Sequence, residues 1–365
     1  MSTLTQRPRC RGRHRRTVAL IAPLMIATRT GVARPAFVSR ADGTAQRTEW
    51  TAPRREAGIS LRPLWRSDTQ RAAAALTYPI DLAFAARGLA IYDHGERRVQ
   101  VVDAATGRAR FAVGRRGPGP GEFGDRAVTF FGPATRPLMV EAIDGRVTAL
   151  DGDKLTPIRV PKERRWSTGC QWGKEQLLLQ VHGVEQHDSY VVTTGEDPQA
   201  VDSMPAPWPR HRGLPFLVRQ APLKQADDST CVYLPVYQQE FAIISPTAPP
   251  VNGTHIETLP EAREEVSGTS KRRVHSLAEG TRAGANDVVA WRDVLLVSFS
   301  GTSPHRHRVV DVYDRRTLAY RGSVLFPHKI DMLAVHGDTL AVTAEVDDVP
   351  VVAVFLLGRR RGATR

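Results

Sequence analysis

Cysteine is scarce in this 365-residue chain, with three residues: Cys10, Cys170 and Cys231. No pair stands at C-x-x-C spacing and none belongs to a Cys/His pattern, which excludes the common zinc modules. Cys170 and Cys231 read as two buried thiols, with pairing open to them only in an oxidising compartment. No stretch of 18 apolar residues occurs, so nothing reads as a membrane-spanning helix. The G-x-S-x-G elbow of serine hydrolases is absent too, although Ser298, Ser300 and Ser303 cluster near Gly301.

An excess of charge is missing from most of the chain, despite a formal net charge of +13. Residues 1–58 hold 12 Arg against three acids (Asp42, Glu49 and Glu56), and the tail adds Arg359, Arg360, Arg361 and Arg365. The body between them is balanced. The total is therefore no argument for a nucleic-acid partner, and none is expected.

The first residues carry an address. Arg7 to Arg16 contain six Arg, Val18 to Ala27 are apolar, and Gly31-Val32-Ala33 offers small residues for cleavage. A basic start, a short apolar centre and a small-residue exit read as a signal peptide over 1–33. Arg15-Arg16 also permits a twin-arginine route. No Cys follows the apolar run, so lipid attachment is not expected. Export to the periplasm or the extracellular space follows. Residues 34–58 read as a polar, disordered linker.

The rest alternates between apolar and polar residues in short runs bounded by Gly, Pro, Asp and Asn, the pattern of strands and turns. One strand recurs. Its copies begin at Val99, Val147, Tyr190, Phe241, Val309 and Val351, at intervals of 42 to 51 residues except for one of 68. Each has an apolar partner just before it, at Leu89, Leu138, Leu177, Cys231, Leu295 and Leu340. A repeat of about 40 to 50 residues suits four-stranded propeller blades. The expected fold is all-β: a six-bladed β-propeller of four-stranded antiparallel blades over 59–357, followed by a basic tail, 358–365. The last unit lacks an outer strand, and Ile59 to Trp65 alternates. That segment is expected to close the ring, removing the exposed sheet edges. In the long interval, Leu259 to Val266 and Lys271 to Ala278 place acids early and bases late, so an insertion over about 259–280 is expected to be helical.

Arg97-Arg-Val-Gln-Val-Val-Asp103 resembles the strand of NHL-repeat propellers, and Gly114-Arg-Arg-Gly-Pro-Gly-Pro-Gly-Glu-Phe123 resembles their inter-blade linker. Asp311 to Pro327 is similar to the penultimate blade of exported bacterial six-bladed propellers. The resemblance implies a rigid scaffold with variable loops. Two Pro interrupt the Gly-rich loop and a strand follows it, so it reads as a blade junction and not as a phosphate cradle.

Chemistry is harder to find. Asp81, Asp125, Asn286, Asp287 and Asp331 fall at or before the starts of inner strands. Of these, Asp81, Asn286, Asp287 and Asp331 are the candidate metal ligands, since oxygen donors from different blades suit a hard cation such as Ca²⁺. The competing reading is that Asp and Asn begin strands and cap turns throughout all-β proteins. His305 and His307 lie in a turn without a third ligand nearby; His182, His187 and His211 suggest no triad. Trp166, Trp172, Trp208 and Trp291 read as packing between blades. The sequence therefore favours an exported, monomeric, non-catalytic binding module for a protein, peptide or glycan, without a cofactor. The alternative is a Ca²⁺-dependent lactonase-like hydrolase or lyase with its site at the central channel.

Overall fold

A computed structural model describes residues 54–360, apart from 70–74, 120, 126–127, 142–144, 163, 173–174, 182–188, 205–217, 219–220, 229, 270–271 and 300–303. The signal peptide, most of the linker, the end of the tail, Cys10, His182, His187, His211, Trp208, Ser300 and Ser303 lie outside the described residues.

Six four-stranded antiparallel sheets follow one another along the chain, the arrangement of a six-bladed propeller. The first blade is β2 (Pro79–Ala85), β3 (Gly88–Asp93), β4 (Arg98–Val102) and β5 (Ala109–Val113). The second is β6 (Val128–Phe131), β7 (Leu138–Glu141), β8 (Arg146–Asp151) and β9 (Lys154–Ile158). The third is β10 (Trp166–Gln171), β11 (Gln176–Val181), β12 (Ser189–Thr193) and β13 (Ala200–Met204). The fourth is short-stranded: β14 (Leu223–Gln225), β15 (Cys231–Tyr233), β16 (Glu240–Ile244) and β17 (Val251–Thr254). A separate hairpin, β18 (Glu264–Thr269) and β19 (Arg272–Leu277), precedes the fifth blade. That blade is β20 (Ala285–Trp291), β21 (Val294–Phe299), β22 (Val309–Asp314) and β23 (Tyr320–Leu325). The sixth comprises β24 (Lys329–His336), β25 (Thr339–Val346) and β26 (Val349–Arg359), completed by β1 (Ile59–Arg66).

The six recurring strands read from the sequence are the third strands of the six blades. Their apolar positions are buried because the sheets stack face to face. Val99 and Val101 pack with Phe123, Phe130 and Met139 between the first two blades, for example. Trp166 and Trp291 are buried between blades, and Trp172 is buried beside the third and fourth. Among the described residues no helix is long and apolar enough to cross a membrane.

Ring closure by the N-terminal strand is as expected. β1 runs antiparallel to β26, from Ile59 opposite Arg359 to Arg66 opposite Ala353, with an irregularity between Pro63 and Trp65. That register extends the last strand two residues into the expected basic tail. The end of the expected linker is also part of the fold. Glu56 bridges Ser323 in parallel, Ala57 N donates to Ser323 O at 2.8 Å, and Ser323 N donates to Arg55 O at 2.8 Å. Residues 54–57 thus cover the outer edge of the fifth blade. Gly322 permits the approach: its φ is +146°, and a Cβ there would lie 2.7 Å from the Ala57 Cα.

Two expectations are corrected. The insertion is a β-hairpin, not a helix: Glu264 to Thr269 pairs antiparallel with Arg272 to Leu277. Its acid-early, base-late charges suit a helix, but Val266, Thr269 and Val274 are β-branched and Gly268, at φ +100°, lies within the run. The two cysteines are joined rather than free. Cys170 on β10 and Cys231 on β15 form a disulfide with Cα atoms 6.1 Å apart, tying the third blade to the fourth.

Candidate functional site

The inner strands all run the same way through the ring, and several bear a bulge near the start. Register shifts fall between Pro79 and Asp81, Trp166 and Thr168, Ala285 and Asp287, and Ile330 and Leu333. A bulge frees backbone donors that must find partners. Two are met by hydroxyls of the second strands: Asp287 N donates to Ser298 Oγ at 2.9 Å, and Met332 N to Thr343 Oγ1 at 3.0 Å.

The Asp side chains beside these bulges tie one blade to the next. Asp81 accepts from Leu82 N at 2.7 Å and from Phe130 N, in the second blade, at 2.9 Å. Asp287 accepts from Val288 N at 2.8 Å and from Leu333 N, in the sixth blade, at 2.7 Å. Between the third and fourth blades, Thr168 Oγ1 donates to Leu223 O at 3.1 Å, and Gln171 N to Gln225 Oε1 at 2.6 Å.

Lys224, on β14, completes this polar layer. Its Nζ lies 2.9 Å from Asp287 Oδ1. Asp81, Lys224 and Asp287 are 3 %, 8 % and 1 % exposed, so three ionisable groups from three blades are enclosed together at the channel. Burial drives the Asp81 carboxyl up to about 6; Lys224 opposes that rise and Asp287 adds to it. Burial works against charge on Lys224, yet Asp287 and Asp81 outweigh it and hold its pKa above the usual lysine value. Lys224 is therefore an ammonium at neutral pH.

The candidate metal ligands divide accordingly. Asp81 and Asp287 face Lys224, while Asn286 Nδ2 donates to Asp331 Oδ1 at 3.1 Å. Asp125 belongs to neither group and pairs with Arg116 at 2.9 Å. Among the described residues no three His, Cys, Asp or Glu side chains are placed to hold a metal ion. The set does not fit a shared Ca²⁺: each buried carboxylate is engaged by two backbone donors, and a lysine ammonium supplies the positive charge. His307 adopts φ +60°, and burial first, then Arg306, holds its pKa below the usual histidine value, with Asp331 working the other way.

A half-open cavity of about 330 Å³ lies above this layer, toward the ends of the inner strands rather than their starts. Lys224 and Asp287 line it, Ala83, Val289 and Ala334 form part of its wall, and the turns Gly132–Thr135 and Ala226–Asp228 reach its rim. Of the residues singled out from the sequence only Asp287 lines this cavity, and Lys224 is not among them. The available signal was a lysine inside the apolar run Ala221-Pro-Leu-Lys-Gln-Ala226.

The Gly-rich junction is filled by its own chain. Gly119 N donates to Glu122 Oε2 at 2.9 Å, and Arg146 donates to Pro118 O at 3.1 Å, Gly119 O at 3.0 Å and Glu122 O at 3.1 Å. A carboxylate occupies the place a bound phosphate would need.

No protein-family model and no curated protein sequence matches the chain. Solved structures share its fold at low identity. Virginiamycin B lyase from Staphylococcus aureus is 7% identical over 82% of this chain and 99% of its own, with a TM-score of 0.48. PQQ-bound aldose sugar dehydrogenase from Streptomyces coelicolor is 15% identical over 82% and 98%, with a TM-score of 0.47. BamB from Moraxella catarrhalis is 12% identical over 81% and 98%, with a TM-score of 0.40. The likeness is one of fold alone, and fold does not fix function.

Proposed function

We propose that the protein is an exported, non-catalytic propeller that binds a protein, peptide or glycan at the mouth of its central channel. The observation that carries this reading is the cavity of about 330 Å³ built on the Lys224–Asp287 pair. Pockets with mostly apolar walls and a few fixed polar groups are the usual form of a ligand site. The charged groups beneath it hold blades together and hold one another, which suits a rigid socket better than a reaction centre. The Cys170–Cys231 disulfide agrees with the expected signal peptide, since such bonds persist in oxidising compartments.

The test is to screen immobilised protein against a random-peptide library and a glycan array, with Val289→Phe as the blocked form. Binders lost in Val289→Phe would support the reading. Ester or lactone turnover that tracks bound Ca²⁺ and disappears in Asp331→Ala would overturn it in favour of the hydrolase.

A further inference from the structure

The polar groups at the base of the channel specify what can sit on them. A lysine ammonium has three N–H donors. Among the described residues Lys224 has one partner, Asp287 Oδ1 at 2.9 Å, so two donors on a nearly buried nitrogen remain. On Asp287, Oδ1 accepts from Lys224 and from Val288 N, whereas among the described residues Oδ2 accepts from Leu333 N alone. Oδ2 has a lone pair to spare. The floor thus offers two donors and one acceptor side by side. Leaving such groups unpaired away from bulk water is costly, so an occupant that matches them is favoured.

The charge of the floor narrows the choice. Lys224 and Asp287 cancel, and Asp81 stands behind them without lining the cavity. An incoming cation meets the ammonium, and an incoming anion meets two carboxylates. Either would lose its hydration without gaining a counter-charge of its own. A neutral group avoids this cost. Hydroxyls on neighbouring carbons each donate and accept, so one can accept from the Lys224 ammonium while its neighbour donates to Asp287 Oδ2.

Size and surroundings agree. A cavity of about 330 Å³ is near the small end for ligand pockets, enough for one compact ring and not for a long chain. Small side chains, Ala83 and Ala334, leave room beside the floor, and the Phe84 and Phe131 rings supply apolar wall for C–H faces. The exposed Thr135 and Asp228 make the rim polar, where further units of a chain could continue outward.

We infer that the channel cavity receives one neutral sugar unit of a glycan, gripped through adjacent hydroxyls by Lys224 and Asp287. This rests on the channel-mouth reading above and names its ligand class. The test is calorimetric titration of the full chain with the methyl glycosides of glucose, galactose and mannose. Their amino-sugar and uronic-acid counterparts serve as charged controls. At least one neutral glycoside should bind saturably with a Kd of about 1 mM or tighter, and its charged counterparts about tenfold more weakly. Val289→Phe and Ala83→Leu, which narrow the cavity without touching the floor, should each abolish the signal; whichever keeps the wild-type unfolding transition decides. Silence from every neutral glycoside, equal binding of charged ones, or undiminished binding by a folded narrowed variant would overturn the inference. If the glycosides are silent while library peptides are still blocked by Val289→Phe, the ligand class fails and the channel site stands. Peptide binders indifferent to Val289→Phe would instead remove the channel site itself.

Discussion

The seam joining the fifth and sixth blades and the seam joining the third and fourth are built in different ways. The first rests on long strands: β24 and β25 have 8 residues each, β26 has 11, and β1 adds 8 from the other end of the chain. A buried charge network lies on the opposite face of the fifth blade, toward the fourth. Arg54 donates to Asp311 through two bonds of 3.1 and 2.9 Å, pairs with Glu257, and stacks 4.5 Å above the Phe299 ring. The second seam has strands of 3 residues, β14 and β15, and substitutes a covalent bond, Cys170–Cys231. Where backbone pairing is extensive the ring is held by hydrogen bonds and packing; where it is thin, cross-links between side chains replace it.

The largest effect expected on this contrast is loss of closure. A chain lacking residues 59–66 should show no cooperative unfolding transition by circular dichroism, because β26 would expose its full edge. Next comes Arg54→Ala, which removes the guanidinium paired with the buried Asp311 and Glu257. Breaking a buried pair on one side costs about 3–5 kcal/mol, to be read from urea denaturation. His255 sharpens that result. Among the described residues both ring nitrogens lack a hydrogen-bond partner, the ring stacks on Phe241, and burial, then Arg54, pushes its pKa down to about 3. Arg54→Ala should therefore also raise the His255 pKa, measurable by NMR titration.

Replacing both Cys170 and Cys231 by Ala should cost about 2–4 kcal/mol in the same assay, by freeing a loop of 61 residues in sequence separation. The loss should fall on the thin seam and leave Arg54→Ala additive to it, since the two lie in different seams.

The smallest effect concerns the channel floor. The Asp81 pKa, raised to about 6, lies above its ordinary 3.8, so the folded protein binds the extra proton more tightly than the unfolded chain. Ionising Asp81 costs stability, a penalty present above pH 6 and relieved as the pH falls toward 4. Asp81→Asn should flatten the stability profile between those values. A profile of the variant that keeps the wild-type slope would remove Asp81 as its source.

The contrast also explains what the sequence revealed. The third strands were legible in every blade, because alternation and a closing Asp or turn are local signals, as in Val99-Gln-Val-Val-Asp103. Closure by Ile59 to Trp65 was legible from the missing outer strand. The inner strands of the thin seam were not: Leu223–Gln225 is too short to alternate, and its lysine looks like a surface residue. The hairpin at 264–277 misled because charge order outweighed its β-branched residues and Gly268. Asp81 and Asp287 lie in the polar layer of the channel, but one sequence cannot show whether a carboxylate meets a metal, a lysine or the next blade's amides. Arg54 was missed because its partners lie 203 residues or more away, at Glu257 and Asp311, outside any local pattern.

Native-state hydrogen exchange across the two seams tests the contrast most directly. Amides of β26 and β1 should exchange only through global unfolding, with a free energy equal to that from denaturation. Amides of β14 and β15 should open at lower free energy, and lower still when the disulfide is reduced. Equal protection in both seams, unchanged by reduction, would contradict the account.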